Sequence, residues 1–209
     1  VLTPRTRAVI CVHLAGWPCD MDPIMELARE RNLFVIEDCA HAIGGRYDYL
    51  GDGDVPRRIG WPAFDYTCVF SFYASKGITT GEGGMIITRN SETARRLRSL
   101  RYHGLSADAH DRHTGKSLAY SVVDKGYKYN MNDIAAALGC VQLDRANHLA
   151  QLRRSIAQTY LDNLWGLPLN LPAAGAPLHH AWHLFIIKLL PGHDRQKFID
   201  HMRELRSEE

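Results

Sequence analysis

Lys76 lies where an apolar run leads directly into a polar, glycine-dense loop, and residues 70–84 read FSFYASKGITTGEGG. Upstream, Asp38 follows a second apolar run at residues 33–36. A lysine amine can form an imine with the aldehyde of pyridoxal 5'-phosphate (PLP), and a carboxylate at the pyridine nitrogen keeps that nitrogen protonated. Together the two residues predict a PLP site, whereas an arbitrary loop lysine would be a solvated cation.

The surrounding pattern predicts that both residues lie at one edge of an α/β sheet. Residues 8–36 alternate between strand, helix and strand, which is typical of a sheet with helices packed on its faces. Ligands in such sheets bind beyond the carboxyl ends of the strands. Asp38 follows the strand at 33–36 and Lys76 follows the strand at 69–72, so both are expected at that edge.

The remaining segments divide the chain near residue 165. We predict loops over residues 44–65 and 101–125, a helix over 91–100 capped by Ser91, two consecutive helical stretches over 132–164, a strand over 182–190 and a helix over 194–206. Proline and glycine are frequent in residues 166–177, which indicates a boundary. Residues 1–165 would belong to a larger domain and residues 166–209 would begin a smaller α+β domain.

Composition excludes several classes of function. The net charge is +2 with dispersed basic residues, so we expect neither a nucleic-acid partner nor a membrane partner. Five scattered cysteines without a C-x-x-C spacing indicate no disulfide framework and no thiolate metal site, which favours a reducing cytoplasm. His179, His180 and His183 lie close together but lack an acidic or thiolate partner at ligand spacing, so a structural role is favoured over a metal site.

Four ordered motifs are similar to those of a known family. They are VIEDCAHA at residues 35–42, FSF followed by the lysine at 70–76, TGEGG at 80–84 and GYKYNMNDI at 126–134. In this order they resemble the DegT/StrS family of PLP-dependent sugar aminotransferases. Within the family, residues 101–112 and 181–187 most resemble the branch that aminates a UDP-linked 4-keto pentose to UDP-4-amino-4-deoxy-L-arabinose for lipid A modification.

The resemblance implies an α/β fold of the fold-type-I PLP aminotransferase class. Such a fold has a three-layer αβα major domain and a small α+β C-terminal domain. Relative to the family, the N-terminal part of the major domain and the rest of the small domain are expected to be missing from this sequence.

The resemblance also implies roles for individual residues. Lys76 would form the internal aldimine and then move the proton between substrate and cofactor carbons, and Asp38 would pair with the pyridinium nitrogen, unless it only caps a strand. His41 would contact the cofactor ring or hydroxyl, or be a half-buried structural histidine. Ser71 would bind the cofactor phosphate, or be the polar side of a strand. Lys128 would reach a phosphate of the cofactor or the nucleotide sugar across a dimer interface, or be a surface lysine.

The implied activity is a ping-pong transfer of the amino group of glutamate to a nucleotide-linked 4-keto sugar, with 2-oxoglutarate as co-product and a homodimer as the active form. Two alternatives stay open. One is a PLP-dependent sugar dehydratase, which is disfavoured because those relatives carry histidine at the position of Lys76. The other is a catalytically incomplete fragment or regulator, which would retain the cofactor weakly.

Overall fold

The structure is a computed structural model that describes residues 2–47, 57–60, 66–106, 121–172 and 179–205. The strands are β1 (Ala8–Val12), β2 (Phe34–Asp38), β3 (Arg46–Tyr47), β4 (Arg57–Arg58), β5 (Thr67–Ser71), β6 (Gly84–Thr88), β7 (Leu169–Asn170) and β8 (Lys188–Leu189). The helices are α1 (Met21–Arg31), α2 (Ser91–Leu100), α3 (Asp133–Leu164) and α4 (Arg195–Leu205), and a short 3₁₀ turn spans Leu14–Gly16.

The main sheet confirms the predicted α/β class. Its strand order is β1-β2-β5-β6, in which β1, β2 and β5 run parallel and β6 is antiparallel to β5. The register aligns Val12, Asp38 and Val69 across the three parallel strands, and it aligns Glu37 with Cys68. Because the parallel strands end together, their carboxyl ends form one shared edge.

Helix α1 covers one face of this sheet. Its buried residues Met21, Met25 and Ala28 are four and three positions apart, as expected for one helix face. They share a core cluster with Cys11 and Val35 of the sheet. The helix ends at Asn32, which is left-handed and donates its backbone N–H to the carbonyls of the last turn.

The opposite face of the first two strands is open in the described part of the chain, although the apolar runs predict buried strands. Ile10 is 65% exposed and Phe34 is 76% exposed. Neighbouring residues of a strand alternate between faces. Only the face that carries Cys11, Val35 and Glu37 packs against α1, so the other face keeps its apolar side chains without a covering layer among the described residues.

Two helix predictions require correction. Asn90, not Ser91, caps α2, because its side chain accepts a hydrogen bond from the backbone of Thr93. Residues 132–164 form one continuous helix instead of two stretches. Its start at the Asn132 cap was predicted, and the helix continues because no proline interrupts the segment.

The C-terminal part also departs from prediction. Instead of a strand over 182–190, only Lys188–Leu189 pairs with β7, because Trp182 adopts a left-handed backbone conformation that a strand excludes. Short strands β3 and β4 lie inside the predicted loop 44–65. Residues 48–56, 61–65, 107–120 and 173–178 of the predicted loops and boundary lie outside the described ranges, and the domain division stays a prediction. Among the residues that the structure describes, no helix is both long and apolar enough to span a bilayer.

Candidate functional site

Asp38 is the last residue of β2, at the carboxyl edge of the parallel strands. Its backbone carbonyl accepts a hydrogen bond from His13 at 3.2 Å, and its Oδ1 accepts one from the backbone N–H of Ala40 at 3.0 Å. The side chain is half-buried. The strand end and the following turn therefore fix one carboxylate at the edge where the prediction placed it.

Lys76 lies in the loop that joins β5 to β6. The base of the loop is closed by two backbone hydrogen bonds, from Phe72 N to Gly83 O at 2.8 Å and from Thr80 N to Phe72 O at 3.0 Å. Lys76 itself donates its backbone N–H to the carbonyl of Tyr73 and is half-buried. Since the loop leaves the sheet at the end of β5, it presents the amine at the same edge as the strand end of β2.

Ser71 is the last residue of β5, and its hydroxyl accepts a hydrogen bond from the backbone N–H of Tyr73 at 3.3 Å. The serine thus begins the loop that carries Lys76. The sequence prediction placed Asp38 and Lys76 at one edge of the sheet, and the structure brings Ser71 to the same edge as these two residues.

His41 is the next residue of this edge, and it contacts the turn that follows β1. Its Nδ1 lies 3.3 Å from the backbone N–H of Ala15 and accepts from it, so the ring proton is on Nε2. Burial lowers the pKa of His41, the charge of Lys76 lowers it further, and the charge of Asp38 raises it. The amine and the carboxylate therefore lie close enough to act on one imidazole.

His183 is a site residue that the sequence prediction missed. Its ring lies 4.4 Å from the ring of His41, between centroids, with an interplanar angle of 30°. Burial, followed by the charges of His41, Lys76 and Arg153, lowers the pKa of His183 to about 4. Its Nδ1 is buried and has no hydrogen-bond partner among the described residues. The sequence signal was the group of neighbouring histidines at 179–183, for which a structural role was favoured over a metal site.

The segment that carries His183 is attached to the turn after β1. Ala181 N donates to Gly16 O at 2.8 Å and Leu184 N donates to Ala15 O at 3.1 Å. His180 uses its Nδ1 to accept the backbone N–H of Trp182 at 2.8 Å. Burial lowers the pKa of His180 to about 4. This histidine therefore has a structural hydrogen bond, in line with the role that was favoured.

Lys128 is placed apart from this edge in the described part of the chain. Its Nζ donates to Asn130 Oδ1 at 2.6 Å and lies 4.6 Å above the ring centroid of Tyr102. The residue is exposed, and no described contact joins it to Lys76. Its cationic group is therefore available on the surface of the chain.

A second polar cluster is buried on the α1 side of the sheet. His13 Nε2 lies 3.1 Å from Glu37 Oε2, and the sulfurs of Cys39 and Cys68 each lie 3.8 Å from the same oxygen. His13, Glu37 and Cys39 bring their ligand-type atoms within 4.8 Å of one another. However, the Nδ1 of His13 accepts the backbone N–H of Cys19 at 3.0 Å, so Nε2 carries the proton and donates it to Glu37. This arrangement uses the imidazole as a hydrogen-bond donor instead of a metal ligand.

The buried thiols of Cys39 and Cys11 are held protonated. The pKa of Cys39 is raised by its hydrogen bond with Cys68 and by burial, and burial raises the pKa of Cys11 to about 11. Thiols of this kind are inert core residues. The reactive groups of the described chain are thus concentrated on the edge that carries Lys76, Asp38, His41 and His183.

Comparisons with known proteins identify the relatives of this chain. The model of the DegT/DnrJ/EryC1/StrS aminotransferase family matches residues 1–207. An uncharacterized protein of Methanocaldococcus jannaschii is 42% identical over 210 residues, which cover 97% of this chain and 52% of that protein.

Two solved structures share the fold. DesV of S. venezuelae, in complex with a ketimine intermediate, has a TM-score of 0.80 and 34% identity and aligns with 98% of this chain and 49% of its own. Spr1654 of Streptococcus pneumoniae, described as a sugar aminotransferase and solved in a PLP form, has a TM-score of 0.81 and 28% identity, covering 98% of this chain and 54% of its own. The predicted aminotransferase fold is confirmed, and the chain spans about half the length of these relatives.

Proposed function

Because the chain belongs to the DegT/DnrJ/EryC1/StrS aminotransferase family, we propose that the complete protein is a PLP-dependent sugar aminotransferase that takes the amino group of glutamate. One observation carries the proposal at the level of the site: Asp38 ends β2 and Lys76 follows the end of β5, the parallel strand paired with β2, so the carboxylate and the amine lie at the same edge of the sheet. An amine and a carboxylate so placed can bind opposite ends of one small heterocycle.

The residues present fit PLP in the chemistry of their donor groups. Lys76 supplies the amine that the cofactor aldehyde requires, and Asp38 supplies the carboxylate for the ring nitrogen. Ser71, at the start of the lysine loop, supplies a hydroxyl for the phosphate. When bound, PLP withdraws electrons from the substrate carbon that is deprotonated.

The side chains of this chain then perform the proton chemistry. The Nζ of Lys76, once free of the cofactor, accepts a proton from one carbon and returns it to another as base and acid. The carboxylate of Asp38 would accept a hydrogen bond from the pyridine nitrogen of the bound cofactor. The Nε2–H of His41 can donate a hydrogen bond at the same edge, because its Nδ1 is occupied by the amide of Ala15.

The acceptor is proposed to be a nucleotide-linked 4-keto sugar, with a UDP-linked 4-keto pentose as the favoured substrate. The likeness of this chain to Spr1654, which is described as a sugar aminotransferase, supports the sugar class. Residues 101–105 and 181–187 support the pentose branch by their resemblance to its motifs. Lys76 argues against the dehydratase alternative, whose relatives carry histidine at that position.

Lys128 is proposed to bind a phosphate of the cofactor or nucleotide sugar held by a second copy in a homodimer. Its Nζ is exposed and contacts only Asn130 and Tyr102 in the described part of the chain. A point charge at such a position can reach an anionic group of a neighbouring subunit.

The test is a spectrum of the purified complete protein with PLP, followed by a transfer assay. We expect a visible absorbance band that is lost in Lys76→Ala and retained in Lys197→Ala, an exposed lysine of α4. ¹⁵N-glutamate should then transfer its label to one of a panel of keto sugar nucleotides, including the UDP-linked 4-keto pentose. A wild-type protein without the band would contradict the PLP proposal, and a band without transfer to any nucleotide sugar would contradict the acceptor class.

A further inference from the structure

The backbone at Trp182 is in an unusual conformation. Its φ is 51°, a left-handed value that bulky residues rarely adopt, and the side chain is buried. Such a conformation costs free energy and persists only where neighbouring contacts enforce it. Strained residues of this kind are concentrated at functional sites. We call the bend at Trp182 the corner, and its contacts indicate which residues it positions.

Contacts through His180, Arg153 and Trp17 hold Trp182 in this conformation. His180 accepts the backbone N–H of Trp182 at 2.8 Å, and the two rings stack at 4.1 Å with an angle of 2°. Arg153 of α3 donates to the carbonyl of Trp182 at 3.4 Å. Trp17 adds an edge contact to the ring of His180 at 5.4 Å. Hydrogen bonds therefore fix both the N–H and the carbonyl of Trp182.

The turn that faces the corner is also left-handed. Ala15 has a φ of 61° and Gly16 a φ of 95°, and their carbonyls accept the backbone N–H groups of Leu184 and Ala181. The two strained segments are thus joined by a pair of backbone hydrogen bonds. Together these two hydrogen bonds fix the position of His183, which lies between Ala181 and Leu184 in the sequence.

His41 is contacted by both segments. The amide of Ala15 donates to its Nδ1 at 3.3 Å, and the ring of His183 packs against it at 4.4 Å. We propose that His183 is a positioning residue, which holds the His41 ring against Ala15 so that its Nε2–H remains a donor at the edge shared by Lys76 and Asp38. This inference rests on the proposed function, because it concerns the same site.

The charges around the pair agree with this role. Lys76 and Arg153 are the cations that act on His183, and Asp38 is the anion that acts on His41. Two adjacent imidazoles can pack only when they do not both carry a charge. Burial first and the neighbouring cations second lower the pKa of both rings, which favours their neutral forms and preserves the packing.

The experiment uses three substitutions of His183 in the complete protein with PLP. His183→Phe keeps a ring that can pack on His41, His183→Asn keeps a polar atom near the place of Nδ1, and His183→Ala keeps neither. His193→Ala, an exposed histidine before α4, is the matched control. Thermal unfolding of each variant establishes that it folds.

We expect His183→Ala and His183→Asn to slow the glutamate half-reaction by about tenfold to 100-fold, since small displacements of a catalytic group have effects of this size. The KM for glutamate and the affinity for PLP should change little. The pH dependence of the bound cofactor's absorbance should shift in both variants, and His183→Phe should restore the wild-type rate and profile. If His183→Asn restored the rate and His183→Phe did not, the Nδ1 atom would act directly and the positioning role would be wrong.

A double-mutant cycle with His41→Gln provides a second measurement. If His183 acts through His41, the effect of His183→Ala should disappear in the His41→Gln background. Additive effects would overturn the inference. A wild-type protein that binds no PLP would instead contradict the proposed function, so the two failures are distinguishable.

Discussion

The Nε2 of His13 donates to Oε2 of Glu37 across 3.1 Å, and both side chains are fully buried. His13 directly follows β1, and Glu37 precedes Asp38 on β2 and points to the opposite face. The same histidine accepts the backbone N–H of Cys19 with its Nδ1. The imidazole of His13, directly after β1, is therefore hydrogen-bonded both to the turn before α1 and to the carboxylate of Glu37.

We predict that His13→Ala strongly destabilises the protein. The substitution leaves a cavity and removes the donor to Oε2 of Glu37, whose Oε1 already lacks a partner among the described residues. A loss of about 3 kcal/mol is expected in the free energy of unfolding. Glu37→Gln should cost less, because its amide oxygen still accepts from His13. Urea unfolding followed by circular dichroism checks both, and a midpoint for His13→Ala equal to that of His193→Ala would show that the buried pair contributes nothing.

The stability of the protein should fall as the pH decreases from about 6.5 to about 4. The pKa of His180 is lowered from 6.5 to about 4 by burial, as is that of His183. In this range the unfolded chain binds protons that the folded chain does not, so protonation favours unfolding. Above about 6.5 these histidines are neutral in both states and contribute no slope.

The measurement is the urea midpoint as a function of pH. Each histidine contributes up to about 1.4 kcal/mol per pH unit to the slope. His183→Phe should reduce the slope between about pH 4 and 6.5, whereas His193→Ala should leave it unchanged. An unaltered slope in His183→Phe would mean that this imidazole is not buried as the structure describes.

The edge of the sheet was predictable from the sequence because it depends on local order. A strand followed by a carboxylate and a strand followed by a lysine must place both groups at the carboxyl end of a parallel sheet, and Asp38 and Lys76 lie there. The Asn132 cap was predictable for the same reason, since its hydrogen bond to Ala135 is three residues away.

The contacts between distant segments were not predictable. No local rule relates Ala15 to Leu184, or His41 to His183, since these pairs meet only after the chain has folded. Arg153 and His180 hold Trp182 in a backbone conformation that a tryptophan disfavours. The apolar composition of residues 182–190 predicts a strand because it does not reveal these contacts. The hydrogen bond between His13 and Glu37 was not predictable either, because His13 follows the neighbouring strand and lies 24 residues from Glu37 in the sequence.

The pKa of His41 should report the positions of Lys76 and Asp38 without any assay of activity. Lys76 lowers the pKa of His41 and Asp38 raises it, beyond the larger lowering by burial. Lys76→Ala should therefore raise this pKa and Asp38→Asn should lower it further. Titration of the ring ¹⁵N signals by NMR measures both shifts, with Lys197→Ala as the control. Shifts in the same direction for the two variants would contradict the geometry of the site.

Lys128→Ala should weaken phosphate binding and leave the fold unchanged. The side chain is exposed, and its described contacts to Asn130 and Tyr102 contribute no more than about 1 kcal/mol. If Lys128 reaches a phosphate, the Kd for PLP or for the nucleotide sugar should rise about tenfold, and the difference should shrink at high salt. Lys128→Arg should retain most of the affinity. Equal dissociation constants for wild type and Lys128→Ala, measured by calorimetry, would assign the residue to the surface alone.

Gly16→Ala should damage both stability and the candidate site, whereas Gly166→Ala should affect stability slightly. Both glycines have left-handed backbones, with φ values of 95° and 83°, so both substitutions carry a similar conformational cost of about 1 kcal/mol. Only at Gly16 would the added Cβ meet other atoms, 2.9 Å from Ala181 Cβ and 2.9 Å from the carbonyl of His41. At Gly166 no atom of the described residues lies within 4 Å.

The difference between these two glycine variants isolates the contact between the turn after β1 and the segment at 181–184. Separation of the two would stretch the hydrogen bond from Ala181 to Gly16 and move His183 away from His41. We therefore expect Gly16→Ala to lower the unfolding temperature more than Gly166→Ala and to raise the pKa of His183, because burial is the first cause of its low value. A NMR titration of His183 that is identical in both variants would show that the contact at Gly16 does not hold the imidazole in place.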